Sequence, residues 1–390
     1  MLPEKISNGL CSLNPGVDRL CMVCDSVVDN NGIVLAYQFY PAVMHSAQRF
    51  TYDTVWEILS NSKGPEAARF AQFRPLLGNL YSLFKILSAA REKRGAIEFE
   101  TTETQIISDE NGRIQRIVPR VRNDAHKLIE EAMLAANSCS ADFILHSKHP
   151  GLFRVHEGPT PEKKELLRNY LKSTGIGMSI SDEPKPAEFQ AIANATKDRP
   201  DAQQIHSMLL RSMQQAIYSP HPAGHFGLAY EAYTHFTSPI RRYADLLVHR
   251  ALIRGLRLGP DGITEAESAG FEDTALHITA TERRAQLAER DAVDRYLAAV
   301  MVEKVGKIFP ARISGVTRFG LFVTLADSGA SGIVPTSSLP DDFWMHDERT
   351  QSLTGRRSGI SFRLAQPVEV RLSEASPVTG GLVFHILQGA

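Results

Sequence analysis

The segment that decides the fold is HFGLAYEAYTHFTSPIRRYADLLVHRAL, residues 225–252. Ser238 is a good helix cap, Pro239 suits the first helical position, and apolar residues then recur at the spacing of one helix face. The pattern therefore predicts a helix that begins at Ser238. Arg241 and Arg242 would put two positive charges in its first turn, where the unpaired N–H groups and the helix dipole are already positive. A phosphate would relieve this repulsion, because it accepts hydrogen bonds from both helix N–H groups and a guanidinium.

The composition indicates an intracellular protein with more than one domain. The chain has 390 residues, with 43 Lys plus Arg and 44 Asp plus Glu, so its net charge is −1. It lacks the basic composition of many nucleic-acid-binding proteins, so a site of that kind must be a local channel. Four cysteines are too few for a disulfide framework at this length, which favours a reducing cytoplasm. The sequence shows neither a signal segment nor an apolar run of membrane-span length, so we expect a cytoplasmic protein without a membrane partner.

The order of the predicted elements divides the chain at Gly306. Before it, the patterns predict strands over 1–50, helices over 51–94, strands around a turn at Asn111 and Gly112, a long helix over 123–148, shorter helices near 160–175 and 201–217, a surface connection over 255–270 and a strong helix to about Val305. After it, short alternating strands punctuated by glycine are typical of a small closed β-barrel. The predicted fold class is therefore α+β, with a mixed sheet and helices followed by a barrel.

Polar residues fall close to the apolar faces of two predicted helices. Glu282 and Glu289 are seven residues apart, so they share a face with apolar side chains, where an unpaired carboxylate is costly. An ion pair with a nearby arginine explains them as well as a functional role does. On the helix from Asn123, Glu130 lines up with Asn123 and Asn137 in a polar seam. On pattern alone, a solvated helix edge is the favoured explanation of this seam.

Aromatic, cysteine and histidine side chains supply the remaining candidates. Tyr52 and Phe99 can stack on bases of single-stranded nucleic acid at roughly 1 to 3 kcal/mol per base, although such rings more often pack in the core. The CMVC segment, residues 21–24, has a metal-ligand spacing, but the sequence does not complete a set of four ligands, so we interpret its cysteines as buried thiols. His225 and His235 are interpreted as core histidines.

Several segments together resemble the RNB nuclease family. Besides residues 225–252 they are MLPEKISNGLCSLNPGVDRLCMVC, RGAIEFE, RNDAHKLIEEAMLAAN and DRPDAQQIHSMLLRSMQQAIY, followed by FGLFV and SGIVPTSSL near the end. They follow the family's order and cover essentially the whole chain. The resemblance implies a processive exoribonuclease that draws single-stranded RNA into a narrow channel from its 3′ end and releases nucleoside monophosphates. The domains it implies are a partial RNB catalytic domain over 1–305 and an S1-like RNA-binding domain, an OB-fold barrel, over 306–390.

The resemblance assigns roles to residues of the first domain. It makes Arg241 the cation over the scissile phosphate, which answers the electrostatic question above, with Arg242 as a further substrate contact. Phe99 stacks against the terminal base in this assignment. Tyr52 helps to hold the last nucleotides, and Glu130 contacts the terminal ribose.

Further assignments concern the last helix and the barrel. Glu289 matches a channel glutamate, and Glu282 is the alternative if the register differs. Phe319 and Phe322 are the expected stacking rings of the barrel. Pro335 stands where the family usually has a histidine on the binding face, so one RNA contact differs from the family pattern.

The resemblance also implies a magnesium cofactor. In the family, a cluster of aspartates binds magnesium ions that activate water, and it precedes the segment that resembles MLPEKISNGL. Here that segment starts the chain, so we expect the metal ligands to be absent and assign no metal-binding residue. One hypothesis is the C-terminal part of an exoribonuclease whose N-terminal segment is missing. The other is a non-catalytic protein that keeps the channel wall and the barrel. Both predict single-stranded RNA as the partner and a monomer.

Overall fold

The computed structural model describes residues 2–98, 104–110, 114–119, 122–147, 149–348 and 350–387. Its first part contains a β-hairpin, three helices, a second hairpin and a long helix. These elements are β1 (Asp18–Val28), β2 (Val34–His45), α1 (Tyr52–Ser60), α2 (Pro65–Arg69), α3 (Arg74–Arg94), β3 (Thr104–Ser108), β4 (Ile114–Pro119) and α4 (Asp124–Ser147). The predicted strands and helices of this part are confirmed except at Lys5–Leu10, where the structure has a short π-helix and not a strand. The turn at Asn111 and Gly112 lies outside the described residues.

The turn between β1 and β2 shows how local chemistry determines the first hairpin. The Oδ1 atom of Asp29 accepts hydrogen bonds from the backbone N–H groups of Asn31 (2.9 Å) and Ile33 (2.8 Å). Gly32 has a φ of +76°, a left-handed conformation that glycine adopts without strain. This turn brings β1 and β2 into antiparallel register over their whole length.

The middle of the chain is mainly helical. Its elements are β5 (Phe153–Val155), α5 (Pro161–Ser173), α6 (Pro186–Thr196), α7 (Ala202–Ser212), β6 (Ile217–Ser219), α8 (Tyr243–Leu256), α9 (Glu265–Ala269) and α10 (Phe271–Met301). The sequence patterns did not predict α6, because its start is not marked by a usual capping side chain. Instead the carboxylate of Glu188 reaches back and accepts hydrogen bonds from the N–H groups of Lys185 (2.8 Å) and Ser181 (2.7 Å). Among the described residues, no helix has both the length and the apolar character needed to cross a membrane.

The 31-residue helix α10 connects the first part of the chain with the barrel. Near its start Phe271 and Ala275 are buried with residues of α8, and near its end Leu297 and Met301 are buried in the core of the barrel. Between these two anchors, residues 283–292 are all exposed. The apolar face that was predicted for this helix is therefore buried only at the two ends.

The C-terminal part is a closed barrel with a small additional sheet. Its strands are β7 (Ile308–Thr317), β8 (Gly320–Leu325), β9 (Ser331–Pro335), β10 (Trp344–Asp347), β11 (Ser352–Gly355), β12 (Ser361–Arg363), β13 (Pro367–Ser376) and β14 (Gly381–Ile386). The barrel order is β13-β14-β9-β8-β7, and β10, β11 and β12 form a separate antiparallel sheet. Alternate residues of the barrel strands, such as Ile313, Val323 and Phe384, fill its core. The predicted barrel is confirmed.

The α+β class is also confirmed, although the described strands of the first part do not join into the expected mixed sheet. These strands form three separate antiparallel pairs, β1-β2, β3-β4 and β5-β6. Two of these pairs pack with helices in one core, where Phe39 of β2 and Phe153 of β5 lie with Ile144 of α4 and Val248 of α8. The predicted boundary at Gly306 lies in the connection between α10 and β7, and the division into two domains at that residue stays a prediction.

Candidate nucleic-acid interface

The loop that precedes α8 is held in place by a buried asparagine of α4. Asn137 accepts hydrogen bonds at Oδ1 from the N–H groups of Phe236 (2.9 Å) and Thr237 (3.3 Å), and its Nδ2 donates to the hydroxyl of Tyr233 (2.9 Å). It is only 2% exposed. The interpretation of its seam as a solvated helix edge is therefore wrong for Asn137. Its partners lie about a hundred positions away in the sequence, so the helical pattern of α4 could not reveal them.

A buried carboxylate organises the paired arginines. Asp245, in the first turn of α8, is fully buried, and its Oδ1 accepts hydrogen bonds from the N–H of Ser238 (2.7 Å) and from Nη2 of Arg242 (2.8 Å). Its Oδ2 accepts a third from Nε of Arg242 at 2.6 Å. Burial lowers the pKa of the Arg242 guanidinium, but the hydrogen bonds and charge of Asp245 outweigh burial, so this pKa lies above its usual value. Arg242 is therefore permanently charged and fixed in position.

The start of α8 differs from the prediction. The helix begins at Tyr243 and not at Ser238, and the Ser238 side chain does not cap it. Because Asp245 takes the Ser238 N–H, and the Ser238 carbonyl accepts from the N–H groups of Arg241 (3.3 Å) and Arg242 (3.1 Å), a turn precedes the helix. The two arginines therefore lie before the first helical turn. The repulsion expected from the helix dipole is also reduced, because Asp245 supplies a negative charge there.

Arg241 has different surroundings from Arg242. Its side chain is exposed, and no carboxylate of the described residues lies within ion-pair distance. Burial first, then the positive charges of Arg242 and Arg154, with a smaller contribution from Arg241, lower the pKa of His235 to about 2. The Arg241 guanidinium is thus close enough to affect His235, yet it is exposed and can bind an anion.

A cavity of about 350 Å³, here called the α4 cavity, opens beside this loop. Its lining residues are Tyr52, Arg122, His126, Ile129, Glu130, Met133, Leu134, Asn137, Tyr233, His235 and Arg242. Three of the residues assigned by resemblance, Tyr52, Glu130 and Arg242, therefore meet at one cavity although they are far apart in the sequence. The Nη1 of Arg242 makes no hydrogen bond to any described residue, so it remains a donor at this cavity.

The wall of the α4 cavity combines a stacked ring pair with a neutralised carboxylate. The ring of Tyr52, which is 42% exposed, stacks on His126 with centroids 4.1 Å apart and an interplanar angle of 21°. Glu130 accepts hydrogen bonds from Nη1 of Arg91 (3.3 Å) and from Nη2 of Arg122. Sequence reasoning missed His126 and Arg122. The signal for them was their closeness to Asn123, since Arg122 directly precedes it and His126 follows it by three residues.

The two glutamates of α10 have different environments. Glu282 forms a bidentate ion pair with Arg154 of β5, with N–O distances of 2.7 and 3.2 Å. Glu282 is therefore an ion-pair partner, but its arginine lies on a strand 128 positions away, whereas an arginine on the same or a neighbouring helix was expected. Glu289 lies in the exposed stretch of the helix, outside the α4 cavity.

The remaining assigned residues lie elsewhere. Phe319 and Phe322 are 56% and 39% exposed on the barrel, near and on β8, and Pro335 ends β9 opposite Gly320. These rings are therefore accessible, as a stacking role requires. Phe99 lies outside the described residues.

The histidines close to the loop are partly buried, and His235 also lines the α4 cavity, so they are not purely core residues. The Nδ1 of His235 lies 2.8 Å from the hydroxyl of Tyr218. Burial first, then the nearby charge of His156, lowers the pKa of His225 to about 3. Both rings are therefore neutral near neutral pH.

The residues present do not fit a magnesium site. Within the described ranges, no group of three or more histidine, cysteine, aspartate or glutamate side chains is arranged to hold an ion. The carboxylates nearest the loop are already engaged, since Asp245 binds Arg242, and Glu130 binds Arg91 and Arg122. A hydrolytic magnesium site needs several carboxylate oxygens around the metal. No catalytic step through a metal follows from these side chains.

The sequence of this chain is similar to that of ribonuclease R from several bacteria. Ribonuclease R of Escherichia coli strain K12 is 45% identical over 384 residues, which cover 95% of this chain and 47% of that protein. Ribonuclease R of Thermotoga maritima is 39% identical over 394 residues, which cover the whole chain and 55% of that protein. The chain thus spans about half the length of these curated relatives.

Solved structures and family models give the same result. The apo form of Mycoplasma genitalium RNase R superposes with a TM-score of 0.91 at 31% identity, over 99% of this chain and 60% of that one. The same protein in complex with ribose methylated single-stranded RNA also has a TM-score of 0.91. The RNB domain model matches residues 1–257, and the S1 RNA binding domain model matches residues 303–386. The chain therefore belongs to the RNB family and carries an S1 RNA binding domain after its RNB domain.

Proposed function

We propose that this chain binds single-stranded RNA as the channel-wall and barrel portion of a 3′-to-5′ exoribonuclease of the ribonuclease R type. The observation that carries the proposal is the exposed Arg241 guanidinium, which pairs with no carboxylate among the described residues, next in sequence to Arg242 at the α4 cavity. A guanidinium without a carboxylate partner is suited to a phosphate. The similarity to ribonuclease R over nearly the whole chain supports the same substrate class.

The proposed roles follow from the contacts of each residue. Arg241 binds a backbone phosphate, and Arg242, whose position Asp245 fixes, donates from Nη1 into the α4 cavity. Tyr52, supported by its stack on His126, holds a base near the end of the strand.

Glu130 accepts from a ribose hydroxyl in this proposal, and its two arginine partners keep the carboxylate from repelling the strand. Phe99 remains a proposed base-stacking ring on the strength of the family resemblance, and Glu289 a proposed channel contact. Phe319 and Phe322 supply stacking rings on the S1-like portion, residues 306–390, while the nuclease portion is residues 1–305.

Hydrolysis needs a metal site that the described side chains do not form. In this family the magnesium ions would activate water, and the present residues bind and orient the strand. We therefore expect the 390-residue chain to bind RNA without releasing mononucleotides in the presence of magnesium. The four cysteines are free thiols, which supports action in the reducing cytoplasm.

The test compares two exposed arginines at opposite ends of α8. In a fluorescence-anisotropy titration with oligoadenylate RNA, Arg241→Gln should weaken binding and reduce the salt slope of log K by about 0.7, the value for one phosphate contact on a single strand. Arg257→Gln is the matched control, because Arg257 is also exposed and lies beyond the last turn of the same helix. Equal affinities and slopes for Arg241→Gln and the unmodified chain would refute the phosphate role.

A second measurement addresses catalysis. Thin-layer or liquid chromatography of labelled RNA incubated with the chain and magnesium should show intact RNA. Release of nucleoside monophosphates in step with protein concentration would overturn the binding-only proposal, and absence of any RNA binding would overturn the proposed function as a whole.

A further inference from the structure

An additional sheet, formed by the strands that lie between β9 and β13 in the sequence, packs on the barrel without taking part in its closure. The five barrel strands close without β10, β11 and β12, which hydrogen-bond only to one another. The inner side of this small sheet is part of the barrel core, since Leu353 is fully buried, Phe362 is 7% exposed, and Trp344 packs against the same cluster. The sheet is therefore fixed rigidly to the barrel, and its other side faces solvent.

The outer side of the sheet exposes large apolar side chains. Met345 pairs in register with Thr354, which pairs with Ser361, so these three residues form one row across the sheet. Phe343 lies one row further out, where its carbonyl accepts a hydrogen bond from the N–H of Arg356 at 3.0 Å. Phe343 is 64% exposed and Met345 47% exposed. An aromatic ring this accessible on a rigid sheet contributes little to the core and is available for stacking.

Guanidinium groups surround this apolar area. Arg356 and Arg357 lie in the β11–β12 turn, and Arg363 ends β12, and all three are exposed. No carboxylate of the described residues lies within ion-pair distance of any of them. They can therefore meet an external anion without first breaking an internal ion pair.

The carboxylate closest to this turn is occupied by the backbone. The Oδ1 of Asp342 accepts hydrogen bonds from the N–H groups of Arg357 (2.9 Å) and Phe343 (2.6 Å), and Oδ2 accepts from the N–H (2.7 Å) and hydroxyl (2.6 Å) of Ser358. Gly355 allows this contact, because a Cβ there would lie 2.4 Å from Oδ2 of Asp342. The negative charge thus orders the turn that presents the arginines.

We propose that the outer side of the β10–β12 sheet, formed by Phe343, Met345, Arg356 and Arg363, is a second binding surface for single-stranded RNA, separate from the rings on β8. This outer surface rests on the proposed function, because it requires that the chain binds RNA at all. RNA fits it better than a protein partner does, since an exposed ring beside guanidinium groups that make no ion pair with a described carboxylate matches a base next to its phosphates. The rigid turn keeps these groups in place before RNA arrives, which reduces the entropy cost of binding.

The experiment measures oligoadenylate affinity of the full 390-residue chain by fluorescence anisotropy. Phe343→Ala should weaken binding about fivefold or more, since base stacking contributes roughly 1 to 3 kcal/mol. Phe343→Trp should restore affinity because it keeps a stacking face. Arg356→Gln should reduce the salt slope by about 0.7. The control is Val378→Ala, because Val378 is an apolar residue, 78% exposed, in the β13–β14 turn.

Phe319→Ala separates failure of this inference from failure of the proposed function. Weaker binding in both Phe319→Ala and Phe343→Ala supports two surfaces. Weaker binding in Phe319→Ala alone overturns the outer surface and leaves the proposed function intact. If no form of the chain binds RNA, both proposals fail.

If Phe343→Ala leaves RNA affinity unchanged but abolishes self-association in light scattering, the sheet is a protein contact and the inference is wrong. All of these substitutions are at exposed side chains, and circular dichroism melting checks that each variant folds.

Discussion

Arg241 and Arg242 are adjacent and chemically identical, and a single buried carboxylate makes their environments different. Asp245 holds Arg242 through two hydrogen bonds and leaves Arg241 exposed. Buried charges must be paired, because the desolvation of an isolated ion costs far more than a hydrogen bond returns. Arg242 can therefore keep its charge although it is partly buried, because Asp245 neutralises it. The charge of Arg241 stays in solvent, where it can bind an anion.

This difference predicts the effect of removing the carboxylate. Asp245→Asn should destabilise the fold by about 3 to 5 kcal/mol, because it leaves a largely buried guanidinium without its counter-ion. Urea denaturation at neutral pH measures the change. The matched control is Glu265→Gln, because Glu265 is 92% exposed and 3.6 Å from Arg254, and an exposed pair contributes about 1 kcal/mol or less. Similar losses in the two variants would show that the Asp245 pair does not organise the loop.

At the scale of elements, the barrel and helix α3 differ in how they tolerate added volume. At Gly332, on β9, a Cβ would lie 2.4 Å from the carbonyl oxygen of Leu382 and 2.6 Å from the ring of Phe384, both on β14. The β9–β14 pair is the parallel contact that closes the barrel. In contrast, a Cβ at Gly78 of α3 would meet no atom within 4 Å.

The two glycines therefore predict opposite results for the same substitution. Gly332→Ala should lower the free energy of unfolding by about 1 to 3 kcal/mol through overpacking. Gly78→Ala should raise it by about 0.5 to 1 kcal/mol, because alanine loses less backbone entropy in a helix. Thermal melting of both variants beside the unmodified chain makes the comparison, and destabilisation by Gly78→Ala would contradict this account of α3.

At the scale of the whole molecule, buried histidines couple stability to pH. Burial is the first cause that lowers the pKa of His156, His225, His235 and His249. In the unfolded chain these rings have their ordinary pKa near 6.5. Below that pH the unfolded state binds more protons than the folded state, so stability falls as pH decreases and is complete only above about 6.5.

The largest of these effects belongs to His235. Because its folded pKa is about 2, its contribution should fall by about 2 kcal/mol between pH 6.5 and pH 5. We expect the free energy of unfolding, measured by urea denaturation at several pH values in this range, to change with pH at a smaller slope in His235→Asn than in the unmodified chain. His277→Asn, at an exposed position of α10, serves as the control and should leave the slope unchanged. An unchanged slope in His235→Asn would mean that this ring is not kept neutral by burial.

Some elements could be predicted from the sequence because their causes are local. The turn at Asp29 and Gly32 determines the first hairpin, and Asn123 precedes α4 where its side chain accepts from the N–H of Ala125. Alternation of apolar residues was sufficient to predict the barrel strands. The family could also be predicted, since the motifs that identify it are continuous segments.

Other features were decided only by the tertiary structure. The helix α8 starts at Tyr243 and not at Ser238, because the carboxylate of Asp245, seven residues later, accepts the hydrogen bond from the Ser238 N–H and holds a turn before the helix. Asn137 is buried and not solvated because its side chain accepts a hydrogen bond from the backbone N–H of Phe236, 99 positions away. The ion-pair partner of Glu282 is Arg154, 128 positions away.

By itself, the sequence of this protein determined the hairpin, most of the helices, the barrel and the family, since each depends on residues within a few positions of one another. Tertiary structure alone decided that Tyr52, Glu130 and Arg242 line one cavity, that Arg241 stays exposed while Arg242 is paired, and that β5 pairs with the distant β6 in a sheet of two strands. The physical reason is that burial and charge pairing depend on which distant segments pack together, and a local pattern does not carry that information.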